Sequence, residues 1–403
     1  MSFRFKTQNS IIVDTNLFFV GTATYDKTTT PSNETQVLAS DKTSNDFFGN
    51  SVAVGSGRIV AAASNNTVTY SSQGSAYIYD LDGTNEIRIT ASDGFANENF
   101  GTAVAVGSGR IVVSAAYDAD AGSQSGSAYI YDLDGTNEIK ITASDAAASD
   151  RFGQSVAVGC GRIVVGAPFD DDNGSSSGSA YIFDLDGNQL TKITASDGTS
   201  SDQFGWSVAV GSGRIVVGAY GDAGGTGSTY IFDLDGNQLT KITASDGTSS
   251  DQFGVSVAVG CGRIVVGASG DDVGSNNDQG SAYIFDLNGN QLAKITASDG
   301  AGGDFFGGSV AVGSGRIVVG ASGHDDPVLS TGAAYIFDLD GNQLSKKTGT
   351  SGADFFGRSV AVGSGRIVVG ANGVDSAGAS SGGAIYIYDT PKQIHYLDQL
   401  DGR

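Results

Sequence analysis

The side chains that could do chemistry in this sequence are carboxylates, and they recur at fixed places. Asp46, Asp150, Asp202, Asp251, Asp304 and Asp354 each stand two residues before a phenylalanine, with Glu98 in the corresponding place of another copy. Segments further along add Asp170, Asp171, Asp172, Asp271, Asp272, Asp325 and Asp326. Clustered carboxylates are the hard oxygen donors that Ca2+ takes, roughly six to eight at a time, and Asp171 with Asp172 is the best candidate pair. The same residues are turn formers whose side chains accept nearby backbone N–H groups, so both roles stay open. Asp184 with Asp186 and Asp233 with Asp235 flank glycines and suit hairpins before metal ligation. Calcium is therefore possible, and no other cofactor is expected.

A second set of residues could hold a ligand by contact. Phe-Gly is followed in its seven copies by Asn50, Thr102, Gln154, Trp206, Val255, Gly308 and Arg358, a different residue each time. Trp206 is the only tryptophan and has Tyr220 close by in the same copy; aromatic rings dominate binding surfaces. The candidate contact residues are Trp206, Tyr220, Asn50, Gln154 and Arg358, with Phe169 and Tyr117 at the start of two variable segments. Burial between repeats is the alternative for Trp206. Catalysis finds little support: His324 and His395 are the only histidines, and nothing signals a Ser-His-Asp arrangement. His324 beside Asp325 and Asp326 reads as a metal ligand or as exposed loop polarity. Paired carboxylates occur throughout so acidic a chain and identify no glycosidase, so a non-enzyme is expected.

These residues sit on a strongly periodic chain. The 403 residues include 61 Gly, 4 Pro, and 44 acidic against 22 basic side chains, for a net charge of -22. Only four of the acids are Glu, and the prevalence of Asp argues against a mainly helical fold. The charge opposes nucleic-acid binding, which needs clustered Lys and Arg. No stretch approaches the roughly 20 apolar residues of a membrane span. Asp14 and Asn16 interrupt Ile11 to Val20, so no export signal is expected.

Phe-Gly recurs from Phe48-Gly49 to Phe356-Gly357 at spacings of 52, 52, 52, 49, 53 and 50 residues. Each copy carries apolar runs rich in Val, Ile, Tyr and Phe, separated by Gly and Asp-Gly turns, the signature of four short antiparallel strands, A to D. In the fourth copy these are Ser207 to Val210, Arg214 to Ala219, Thr229 to Leu234 and Leu239 to Ala244. Strand B is apolar without alternation and should be buried on both faces. Strand D carries Arg88, Lys140, Lys192, Lys241, Lys294 or Lys346, which suits an outer edge guarded against foreign pairing. Such units pack radially. The fold class expected is all-β, a seven-bladed β-propeller of four-stranded antiparallel blades, with Gln36 to Ser40 as the outer strand of the last blade. An open solenoid is the alternative. Cys160 and Cys261 fall two blades apart, beyond the roughly 7 Å reach of a disulfide, and should be free thiols.

Phe-Gly at the start of strand A and Gly-Ala at the end of strand B, as in Phe152-Gly153 through Gly166-Ala167-Pro168, resemble FG-GAP repeats, the blades of integrin alpha-subunit propellers and of many bacterial surface proteins. Calcium-binding members carry an Asp-x-Asp-x-Asp-Gly loop between A and B. Here that loop is Gly-Ser-Gly or Gly-Cys-Gly, so that calcium site is not implied. The wording Val-Gly-Ser-Gly-Arg-Ile-Val-Val-Gly-Ala also resembles repeats of structural and tail-associated proteins of marine and cyanobacterial bacteriophages, which implies a virion component.

Antiparallel connectivity places the short A–B and C–D turns on one face, the bottom, and the variable B–C and D–A loops on the other, the top, where ligand-reading loops on a rigid scaffold belong. Uniform scaffolding with drifting loops is the bland alternative. The division expected is residues 1–34 as an anchoring or oligomer-contact segment, 35–390 as the propeller and 391–403 as a carboxyl extension. Phe3, Phe5, Ile11, Ile12, Leu17, Phe18 and Phe19 load the first segment with apolar surface that a partner in a larger assembly would cover. The function expected is a phage structural or adhesive protein. It would be anchored to other virion proteins and present its top to a host-surface glycan or protein. A secreted, calcium-stabilised adhesin on the cell surface is the alternative.

Overall fold

The computed structural model describes residues 34–390 apart from 327, 376 and 377; the proposed anchor residues Phe3 to Phe19, and the extension from residue 391, lie outside the described residues. Seven four-stranded antiparallel sheets surround a central axis, each running A-B-C-D from the inside outward. In blade 4 the strands are Ser207–Gly211, Arg214–Ala219, Ser228–Phe232 and Gln238–Ile242. Strand C ends before Asp233 because the Asp233 carboxylate accepts the backbone N–H groups of Asp235 and Asn237, 3.0 and 2.9 Å away, and turns the chain. Asp184 does the same with Asp186 and Asn188, the hairpin role.

Strand B lacks alternation because a propeller blade has a neighbour on each side. Ile163 and Val165 of blade 3 pack with Val112 of blade 2, whereas Val164 packs with Ile215 and Val217 of blade 4. Each Phe of Phe-Gly wedges into such a junction. Phe204 donates its backbone N–H to Ser177 of blade 3 while its ring packs edge-on against Tyr230 and Phe232 of blade 4, 5.4 and 5.9 Å between centroids. Full burial of a ring of that size contributes about 1.5–3 kcal/mol. Gly205 follows with φ +91, and a Cβ there would lie 2.3 Å from the Ser179 carbonyl oxygen. The pair is thus a backbone requirement joined to a side-chain wedge.

Closure comes from the amino terminus, through Glu34–Val37 rather than Gln36 to Ser40. This strand pairs antiparallel with strand C of blade 7, Ala384–Asp389, in the register Glu34↔Tyr388 to Val37↔Ile385. It begins one residue inside the segment assigned above to the anchor. The Arg366 Nε donates across the closing seam to the Leu81 carbonyl at 2.8 Å, and the Ser359 hydroxyl to that of Gly49 at 2.8 Å. Val-Ala-Val triplets of the seven A strands line a central channel of about 210 Å3. Among the described residues no helix is long and apolar enough to cross a membrane. Cys160 and Cys261 are free and exposed on the bottom A–B turns.

Candidate functional site

The lysines of strand D are more than edge guards. In blade 3 the Lys192 ammonium contacts Asp145, Asp170 and Asp172 at 2.7, 2.9 and 2.6 Å, with the side chain only 17% exposed. Asp170 and Asp172 come from the same blade's B–C loop, while Asp145 closes the Ala-Ser-Asp run that follows strand D of blade 2. The Tyr181 hydroxyl lies between Asp145 and Asp170, 2.9 Å from each, and its single hydrogen is shared by the two carboxylates, so one cation and one phenol join two blades. Blade 2 repeats the arrangement with Lys140 on Asp93, Asp118 and Asp120, blade 4 with Lys241 on Asp197 and Asp222, and blade 5 with Lys294 on Asp246 and Asp271. Burial alone would lower the Lys192 pKa, but its hydrogen bonds to the three carboxylates outweigh that and raise it. Burial acts to raise Asp145, and the bonds from Lys192 and Tyr181 reverse it.

This network decides how the candidate metal residues sit. Asp171 and Asp172 do not converge: the Asp171 carboxylate accepts the Ser176 backbone N–H at 2.7 Å, whereas Asp172 turns to Lys192. The carboxylates that do converge are Asp145, Asp170 and Asp172, with donor oxygens within 4.8 Å of one another, and the ammonium already sits among them. The acids before Phe-Gly are likewise engaged: Asp150, Asp202, Asp251 and Asp304 accept the backbone N–H three residues earlier at 2.6–2.8 Å. Asp150 is pushed up to about 6 by burial and by the charges of Asp170 and Asp171.

His324 departs from the reading as exposed loop polarity. It is 4% exposed and occupies in blade 6 the place of Asp170 in blade 3. Its Nδ1 lies 2.9 Å from Asp304 and its Nε2 2.8 Å from the Lys346 ammonium, so it substitutes for an aspartate in the blade junction.

On the top face, four of the candidate contact residues come together around one that the sequence reading passed over. The Arg151 guanidinium lies 4.9 Å from the Tyr117 ring centre and 4.7 Å from that of Phe169. Phe169 meets Trp206 at 6.3 Å, and Trp206 meets Tyr220 at 4.7 Å, both edge-on. The result is a continuous half-buried arc over blades 2, 3 and 4. Asn50 lies elsewhere, accepting from Asn372 of blade 7 at 3.3 Å, and Arg358 stands exposed on blade 7. Gln154 is half-buried at the head of strand A of blade 3. Arg151 immediately precedes Phe-Gly, a position filled by Phe47, Asn99, Arg151, Gln203, Gln252, Phe305 and Phe355, all with positive φ. That position varies too, with Phe in three copies, Gln in two and Asn and Arg in one each, which was the available signal.

The described residues begin and end on the bottom face. The Glu34–Val37 strand starts there, and strand C of blade 7 ends there at Asp389, with the Thr390 N–H bonded to the Gly365 carbonyl of the blade 7 A–B turn at 3.0 Å. Residues 1–33 and 391–403 thus attach at one corner, opposite the arc.

The sequence profile of the FG-GAP repeat matches residues 31–79, 84–131, 136–183, 188–232, 237–285 and 290–337. Each matched unit contains strand D of one blade followed by A, B and C of the next. Closure by the amino-terminal strand follows from that offset. A search of curated proteins returns no match.

Proposed function

The chain belongs to the FG-GAP repeat family, and from that premise we propose that it is a non-enzymatic display scaffold, tethered from below and reading a ligand from above. One observation carries the reading: residues 1–33 and 391–403 join the described chain at the base of blade 7, while the variable loops and the aromatic arc occupy the opposite face. A propeller held by its base offers its top without obstruction, and rigid blades hold the loops still. An adhesive or structural role is compatible with the family. We take the finer role to be that of a virion component, a phage tail or particle-surface protein anchored to neighbouring virion proteins by its amino-terminal segment. Support for it comes from the resemblance of the repeat wording to phage structural proteins and from the apolar load of residues 1–33. The alternative, a calcium-stabilised surface adhesin, is weakened because a lysine ammonium already occupies the space between the carboxylates that would have to hold the ion.

Mass spectrometry of purified particles from the source, with envelope fractions run in parallel, tests the reading. The protein is expected in the particles at stoichiometric abundance; its absence there with recovery on cell envelopes would overturn the virion role.

A further inference from the structure

Seven near-identical blades act as internal controls for one another, and the control fails in one sector. Two residues past strand B, blades 2 and 3 place Tyr117 and Phe169 where blades 4 to 7 place Gly221, Gly270, Gly323 and Gly373; one residue past it, blade 4 places Tyr220 where blades 5, 6 and 7 place Ser269, Ser322 and Asn372. Scaffold packing does not need the rings, because those blades close without them. The geometry points to the arc Tyr117–Arg151–Phe169–Trp206–Tyr220 as a binding platform for a neutral oligosaccharide.

The chemistry is that of a sugar site. Pyranose rings present apolar C–H faces that stack on aromatic side chains, and hydroxyls that need groups able both to donate and to accept. Three rings contributed by blades 3 and 4 at successive separations of 6.3 and 4.7 Å suit an extended chain rather than a monosaccharide. The polar groups beside them are amides: Gln124 accepts from the Arg151 Nε at 3.2 Å, and Gln203 hydrogen-bonds Tyr220. Charge selects the uncharged class. A chain of net charge -22 repels polyanionic glycans at long range. The acids of the same loops are turned away from the surface role: Asp118 and Asp120 hold Lys140, Asp170 and Asp172 hold Lys192, and Asp171 holds the Ser176 N–H. A cationic ligand therefore finds its would-be partners occupied. This inference rests on the top face being the free one.

Trp206 is the sole tryptophan, so emission excited at the red edge, where tyrosine does not absorb, reports on this site. Titration with maltohexaose, cellohexaose, chitohexaose and mannohexaose, with a heparin hexasaccharide as the polyanionic control, is expected to give a saturable shift of the emission with at least one neutral probe and none with heparin. By calorimetry, Phe169→Ala and Trp206→Ala should each weaken that probe at least 10-fold, whereas Phe305→Ala, an exposed ring on blade 6, leaves its affinity unchanged. If Trp206→Ala lowers the melting temperature, Trp206→Phe and Tyr220→Ala replace it. No response to any neutral probe, tighter binding of heparin, or unaltered affinity in the arc variants would overturn the proposal. The display reading fails separately: sugar binding by a protein missing from particles removes the virion role and leaves the site, whereas a protein bound across the arc with no sugar response removes the site and leaves the display.

Discussion

Blade 3 and blade 7 share a backbone and differ in how they are held. In blade 3 the outer strand is covalently continuous with its neighbour, and Lys192 draws in Asp170 from its own blade and Asp145 from the blade before. In blade 7 the outer strand arrives from the far end of the chain. Gln36 stands where lysine would, donating to the Tyr386 hydroxyl at 2.9 Å, and Val374 stands where Asp170 would. Tyr388 bonds Glu34 at 3.0 Å, and apolar packing that includes Val374 and Leu38 lies beside it. At this junction a glutamine and a valine thus replace the lysine and the aspartate that meet in blade 3. An unmatched buried charge would be costly whenever that strand frays, and the seam avoids one.

The comparison breaks most visibly when the clasp is removed. A chain lacking residues 1–37 leaves the edge Ala384–Asp389 bare, and cooperative unfolding in urea should be lost, with aggregates on size exclusion; an unchanged transition would refute closure by this strand. Acid comes next because it acts on several junctions together. Burial acts to raise Asp93, Asp145, Asp197, Asp246 and Asp299, but lysine and tyrosine bonds hold each below the usual carboxylate range. Their stabilisation is complete above the unfolded value of about 4 and lost as pH falls through the lower folded values. Melting temperature should hold from pH 7 to about 5 and drop steeply below about 4. Asp150 has the opposite sign. With its pKa raised to about 6, it withdraws stability as pH rises from about 4 to about 6, so Asp150→Asn should melt higher than wild type at pH 7 and equally at pH 4.

Single junctions give smaller effects. Lys192→Met strands Asp170 among carboxylates and should cost about 2–3 kcal/mol, against less than about 1 kcal/mol for Gln36→Met. Millimolar Ca2+ should restore part of the loss in Lys192→Met and leave wild type unmoved; equal costs at the two positions would erase the contrast between the blades. The smallest effect concerns a pairing inside the repeats. Tyr79, Tyr131 and Tyr388 donate to Glu86, Glu138 and Glu34 at 2.8–3.0 Å, whereas blades 3 to 6 place Phe183, Phe232, Phe285 and Phe337 beside Gln189, Gln238, Gln291 and Gln343. Tyr79→Phe should cost about 1 kcal/mol and the Tyr79→Phe/Glu86→Gln double variant less than the sum, as read from a double-mutant cycle.

What the sequence disclosed was whatever repeats locally. Phe-Gly, the apolar runs and the Asp-Gly hairpins lie within a few residues of the partners that explain them, so blade number, strand order and closure were legible. The blade lock was not, because Asp145 and Tyr181 are 36 residues apart and meet only once two repeats stand side by side. Lys192 looked like an edge residue since its strand is an edge; its ammonium turns inward across Tyr181, 5.3 Å from the ring centre. His324 read as loop polarity because its burial depends on the place it shares with Asp170, and Arg151 was missed because the position before Phe-Gly repeats Phe and Gln whereas the one after it changes in every copy.

Hydrogen–deuterium exchange of the protein in its native assembly against the free protein tests the polarity of the molecule most directly. The account predicts new protection at the base of blade 7, in Gly363 to Arg366 and Tyr388 to Thr390, with the top loops 117–126, 169–178 and 220–227 exchanging as in the free chain. Protection of those loops with an unprotected blade 7 base would contradict it.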